Sequence, residues 1–303
     1  MTEFIFGVLG FVKVMVLILL IIELTILLEE FLAARIELRR GFAGTKTSLI
    51  QVLARHGLKI LRTEGPLSRQ LASATRYLVI FLSAGLLPVW GGKIPLAGAH
   101  SLWLFTALVI FGPVFHLISD WARHRGAGWP LVLASAERTV GASTVHFILA
   151  ITLVAMTGID DFAGFRDLQE AHGWIIWRYP WAIFILFAYA VANLFTSFQS
   201  IFSRGREERA EGWSFDDLLP HLRRAVWTLF VVDVFMGGAG KLGPLGDLSL
   251  IVKCVGVNVV SKAISQLFFH LREDQAESFI LWRLMPISIL ILGLSLLIPG
   301  GVF

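Results

Sequence analysis

Eight stretches of this chain are apolar over lengths that approach or exceed a bilayer crossing, and nothing else in it constrains the fold as much. They run near 4–28, 76–92, 100–119, 131–157, 179–202, 222–240, 246–270 and 279–299. A helix needs about 20 apolar residues to cross the hydrocarbon core. In that solvent every backbone N–H and C=O must be satisfied within the protein, so only helices or a closed barrel can span. Barrel strands alternate apolar and polar residues, and no such alternation persists here. Charged residues are 16% of the 303, against about a quarter in soluble domains. The predicted class is an all-α polytopic membrane protein forming a single membrane domain over 1–303, with about eight spans.

Loop charge orients the spans. Arg35, Arg39, Arg40, Lys59, Arg62, Arg123, Arg125, Arg204, Arg206, Arg209 and Arg272 all follow odd-numbered spans. The loop after the fourth holds Asp160, Asp161, Asp167 and Glu170 with little base. Lys and Arg stay cytoplasmic, so the odd loops face the cytoplasm and both termini face the other side of the inner (cytoplasmic) membrane. The net charge of +4 follows from these loops and is no sign of nucleic-acid binding. One cysteine, Cys254, excludes an intramolecular disulfide and a cysteine-ligated cluster. The first apolar run lacks a basic start and a small-residue cleavage site, so it reads as retained.

Ionisable groups inside spans are expensive and draw attention to themselves. Glu137, Arg138 and His146 lie in the fourth, Asp233 in the middle of the sixth, and Lys253 and Lys262 in the seventh. The two lysines are nine residues apart, which places them about 180° apart around a helix. Either is a candidate partner for Asp233. The loop after the fifth span adds Glu208, Glu211 and Asp216. No metal-ligand spacing, phosphate-binding glycine loop or nucleophile–base arrangement is present.

The segment 29–75 is the most specific part of the chain. Leu49, Val52, Leu53, Ile60 and Leu61 recur at near-helical spacing among basic residues, the pattern of an amphipathic helix lying in the interface. Its beginning reads A-R-I-E-L-R-R-G over 34–41. With Glu29, Gln51, Ala54, Lys59 and Glu64, this order resembles the first cytoplasmic loop of the subunit-1 (H-subunit) family of respiratory complex I. That family also supplies a membrane subunit to energy-converting nickel–iron hydrogenases. Phe42 stands where the family usually has proline, and Arg55 where complex I members have aspartate. A second resemblance lies at Arg272, Asp274, Gln275, Ser278 and Phe279, followed by Met285-Pro286 at the family spacing.

The resemblance implies a membrane-arm subunit that docks a soluble arm through Glu29, Arg35, Arg39, Arg40, Arg272 and Asp274. It implies a proton or sodium path, with Arg138, Glu208, Glu211, Asp216 and, after a shift of about one helical turn, Asp233 at matching positions; Glu137, His146, Lys253 and Lys262 join the candidates for that path by their place inside the spans. Implied partners are soluble-arm small and large subunits, antiporter-like membrane subunits and lipid. Two departures bear on mechanism. The family places a glutamate nine residues after the arginine matched by Arg138; here Phe147 stands there, with His146 beside it. The P-F-D opening of the loop before Glu208 is also missing. Both disfavour a quinone chamber, and no cofactor is expected on this chain. An anchor for a soluble enzyme that moves no ions, a quinone-chamber subunit and, more distantly, a standalone transporter stay open.

Overall fold

The computed structural model describes residues 12–13, 15–22, 24–25, 67–87, 99–123, 129–179, 181–197, 218–240, 244–268, 275 and 278–297. Among them there is helix and turn but no strand. The helices are α1 (Leu67–Gly85), α2 (Ser101–Arg123), α3 (Trp129–Thr157), α4 (Phe162–His172), the single turn α5 (Ile175–Arg178), α6 (Ala182–Ser197), α7 (Leu218–Phe235), α8 (Pro244–Phe268) and α9 (Met285–Leu297). The last follows a π-helical turn, Ile280–Leu284. Helix α1 begins inside the stretch read from sequence as a docking loop to residue 75.

The helices form one bundle. Helix α1 packs along α2, and α3 lies against α2, α6 and α9. Helix α7 touches α1, α4, α6 and α8. The helical residues 12–13, 15–22 and 24–25 run beside α8 in the same direction, since Lys13 pairs with Asp247 at 3.5 Å and Thr25 meets Asn258 at 2.8 Å. At the centre, Phe105 stacks on Phe230 with ring centroids 4.7 Å apart, and Phe162 stands edge-on to both. Such ring pairs contribute about 0.5–1.5 kcal/mol each beyond the area they cover.

One end of the bundle is stitched by polar contacts. The Leu102 amide donates to the Asp160 carbonyl at 3.1 Å, and the Phe162 amide to Ser101 Oγ at 3.0 Å. His100 pairs with Asp160. Asp161 caps α4 by accepting from the Gly164 amide at 2.6 Å, which satisfies one of the free N–H groups of its first turn. Thus α2 begins where α3 ends, and α4 folds across that end.

The exterior is apolar and several interior faces are polar. In α9, Ser288 and Ser295 are buried while Leu290, Leu296 and Leu297 are exposed. Ser83, Thr106, Thr152 and Ser288 return their hydroxyls to the carbonyl four residues back at 2.8 Å, so these buried groups need no outside partner. Among the described residues, two helical segments are long and apolar enough to cross a membrane, Thr139–Thr157 and Ile280–Leu297; Ser101–Gly112 and Ala182–Ala192 are apolar but shorter. The sixth and seventh predicted spans are helical, but α7 opens with Arg223 and Arg224, and α8 carries Asp247, Lys253 and Lys262.

Candidate functional site

Helix α7 stops because glycines follow it. Gly237, Gly238 and Gly240 take φ of 71°, 52° and 67°, a region that residues with a Cβ enter only at a cost. The break leaves the last carbonyls of α7 and its exit turn without intrahelical donors. Val232 O accepts from the amides of both Met236 and Gly238 at 3.0 Å. Asp233 O accepts from Gln169 Nε2 at 2.8 Å. Met236 O and Gly238 O accept from Lys253 Nζ at 2.9 and 2.8 Å. The ammonium also lies 4.9 Å from the centre of the Trp174 ring, within reach of a cation–π attraction.

Asp233 is set into this turn. It lies in the last turn of α7 rather than at mid-span, which corrects the position expected from sequence; the predicted span ran on through the glycines that end the helix. Its side chain is buried. A Cβ on Gly238 would come within 2.5 Å of Oδ1, so the carboxylate rests against bare backbone. A carboxylate at the negative end of a helix is doubly unfavoured, by burial and by the helix dipole. The charges of Arg166 and Lys253 both act on it. Arg166 in turn holds Glu170 at 3.0 Å.

His146 belongs to a second polar group, on the far side of the aromatic core. Its Nδ1 donates to Ala142 O at 2.6 Å, leaving Nε2 as the acceptor of the neutral ring. The imidazole lies 4.7 Å from the Trp227 ring and 5.7 Å from that of Tyr189. Nε2 has no hydrogen-bond partner among the described residues, nor do Trp227 Nε1 and Arg223 Nη2. Arg223 and Asp233 are ten residues apart on α7, roughly 15 Å along the axis at about 1.5 Å per residue. Tyr189, which packs beside His146, also meets Phe230 and Phe235 with ring centroids 5.4 Å and 6.4 Å apart. A third polar contact joins three helical segments: Thr228 Oγ1 lies 2.9 Å from Asn258 Oδ1, and Asn258 Nδ2 donates to Thr25 Oγ1.

Of the residues singled out from sequence, the structure brings Asp233 and Lys253 to one turn and sets His146 apart from them. Glu137 and Arg138 lie on α3 and Lys262 on α8, with side chains outside the described residues. Glu29, Arg35, Arg39, Arg40, Glu208, Glu211, Asp216, Arg272 and Asp274 also lie outside them. Sequence reasoning missed Gln169, Trp174, Arg223 and Asn258. The signal for Gln169 was present: Phe162, Phe165 and Gln169 repeat on one helical face behind the cap Asp161.

The architecture is that of an all-helical bundle with an apolar exterior and polar groups held inside. The same fold occurs in a chain from the structure of the membrane-bound sulfane sulfur reductase, described as an archaeal respiratory membrane complex. The two share a TM-score of 0.73 over 97% of this chain and 100% of the other, at 16% identity. The sequence matches no protein-family description and no curated protein.

Proposed function

We propose that this chain is a membrane-arm subunit of an energy-converting, complex I-like assembly. It crosses the inner membrane several times, eight by apolar runs, with both termini on the non-cytoplasmic side. Its basic loop 29–75 and the segment about Arg272 and Asp274 dock the small and large subunits of a soluble electron-transfer arm. Antiporter-like subunits continue the membrane arm. Electron transfer in the soluble arm rearranges charge within this chain and drives protons or sodium across. The observation that carries the reading is the fold shared along nearly the whole length with a chain of a respiratory membrane complex. The two sequence resemblances, at opposite ends of the chain, support it separately. That complex is named for reducing sulfane sulfur, which agrees with the sequence arguments against a quinone chamber.

The aromatic packing about His146 favours one competing reading, an anchor that moves no ions. A continuous proton route needs polar groups or water, and His146 is set among the rings of Trp227 and Tyr189, with Phe230 packed on both. Ion movement under turnover separates the two. The complex is purified through a tag on this chain and reconstituted in liposomes, and the ion gradient is read during electron transfer. The wild type builds a gradient. Asp233→Asn, which keeps size and removes charge, abolishes it while leaving assembly and the soluble arm's activity intact. A gradient at the wild-type ratio in Asp233→Asn makes Asp233 structural, and no gradient in the wild type makes the chain an anchor.

A further inference from the structure

Two oxygen atoms buried beside the end of α7 have no hydrogen-bond partner among the described residues: Asp233 Oδ2 and Gln169 Oε1. Both residues are only 5% exposed. With Asp233 ionised each atom is an acceptor, so neither can satisfy the other, and what they then lack is a donor or a cation. They belong to one locus. Gln169 Nε2 is bonded to the carbonyl of Asp233 itself, and a Cβ on the adjacent Gly237 would lie 3.8 Å from Gln169 Oε1. The same glycine turn offers the carbonyls of Met236 and Gly238, held at 2.9 and 2.8 Å by the Lys253 ammonium.

An ammonium held by paired carbonyls is a tethered cation. Ammonium and potassium ions are close in size and equal in charge, and carbonyl rings that strip water from one accommodate the other. The donor set contains oxygen alone, which suits a hard cation and offers nothing to a soft one. Its single carboxylate balances one positive charge, not two. We propose that Asp233, Gln169 and the carbonyls of Met236 and Gly238 form a binding site for an alkali-metal cation, with the Lys253 ammonium as its built-in competitor. The ion enters as the ammonium leaves. The partly exposed Trp174 ring, already under Nζ, offers the ammonium a face on which to withdraw. Lys253 thereby makes occupancy exclusive: the carbonyls hold either the side chain or the ion. The two carbonyl distances around Nζ, 2.9 and 2.8 Å, suit a potassium-sized ion.

The inference names the ion chemistry of the site placed under coupling above, yet equilibrium binding tests it without electron transfer. The full-length chain in nanodiscs is titrated with radioactive sodium and, in a second arm, with radioactive rubidium standing for potassium. Wild type binds one of them saturably. Lys253→Met keeps the aliphatic stem and removes the competitor, so the same ion binds at least tenfold tighter. Asp233→Asn weakens binding at least tenfold, with helix content checked by circular dichroism. The proposal is overturned if neither tracer binds wild type or Lys253→Met, if Lys253→Met binds no tighter than wild type, or if folded Asp233→Asn binds as wild type does. Because no turnover is involved, a chain that binds the ion but builds no gradient would fail the coupling role alone.

Discussion

Asp233 is tolerated at the end of α7 because glycine follows it at the right places. Gly238 leaves room for Oδ1, and a methyl there would stand 2.5 Å from it in a backbone of φ 52°. Gly240 has a similar φ of 67° but nothing within 4 Å of a Cβ. Left-handed backbone costs an L-residue about 1–2 kcal/mol. Gly240→Ala should therefore destabilise by that amount. Gly238→Ala should add roughly another 1–3 kcal/mol of overpacking and push the carboxylate from its seat. Detergent-mediated unfolding of the two variants measures the difference, and equal losses would show that the carboxylate yields freely. At this scale the site was half legible. Asp233 and Lys253 are conspicuous because charge is rare in apolar runs. For Gln169 the helical face it shares with Phe162 and Phe165 was legible, but its bond to Asp233 from 64 positions away was not, and its neighbours Asp167 and Glu170 read as loop charge. No single-sequence pattern reports a contact of that separation.

Helix α9 shows how one residue shapes an element. Pro286 has no N–H and its ring crowds the carbonyl four residues before it. The chain answers with a wider turn over Ile280–Leu284, where the Met285 amide donates to Ile280 O, five residues back. That turn packs on Gly141 of α3, where an added Cβ would meet Ile280 at 3.2 Å and Leu281 at 3.3 Å. Both contacts are with side chains, so Gly141→Ala should be near neutral. Gly141→Leu cannot be absorbed by side-chain adjustment and should cost about 1–3 kcal/mol. Gly256→Leu, on α8 with open space about it, serves as the comparison and should be tolerated. A Gly141→Leu variant as stable as Gly256→Leu would show that the α3–α9 seam is loose. Elements of high apolar content were legible from sequence because periodicity is not needed to see them. Helix α4 was not: its acids read as the charge of a loop between spans, whereas Asp161 is a cap, Asp160 pairs with His100 and Glu170 with Arg166. The amphipathic segment within 29–75 lies outside the described residues.

For the molecule as a whole, orientation is decided by where lysine and arginine gather, not by net charge. At the α2–α4 end Arg166 offsets the charge of Glu170, and His100 pairs with Asp160. This pairing does not weaken the assignment, because acids contribute little to topology. What matters is that Arg204, Arg206 and Arg209 fall in the sequence between α6 and α7, whereas α4 precedes α6 and lies at the end of α3. The two stretches therefore face opposite sides if α6 crosses the membrane. Cysteine labelling resolves this cleanly because the native Cys254 is fully buried. Ala163 is exposed on α4, whereas its neighbour Gly164 is not a usable site, since a Cβ there would strike Ile159 at 2.7 Å. A cysteine at Ala163 should react with an impermeant thiol reagent in intact cells, and one at Ser203 should react only after the membrane is opened. Wild type, carrying Cys254 alone, should stay unlabelled in both conditions. Labelling of Ser203→Cys in intact cells with protection of Ala163→Cys would invert the orientation and place the soluble arm's docking loop on the wrong side for the proposed assembly. Labelling of both in intact cells would mean that α6 does not cross.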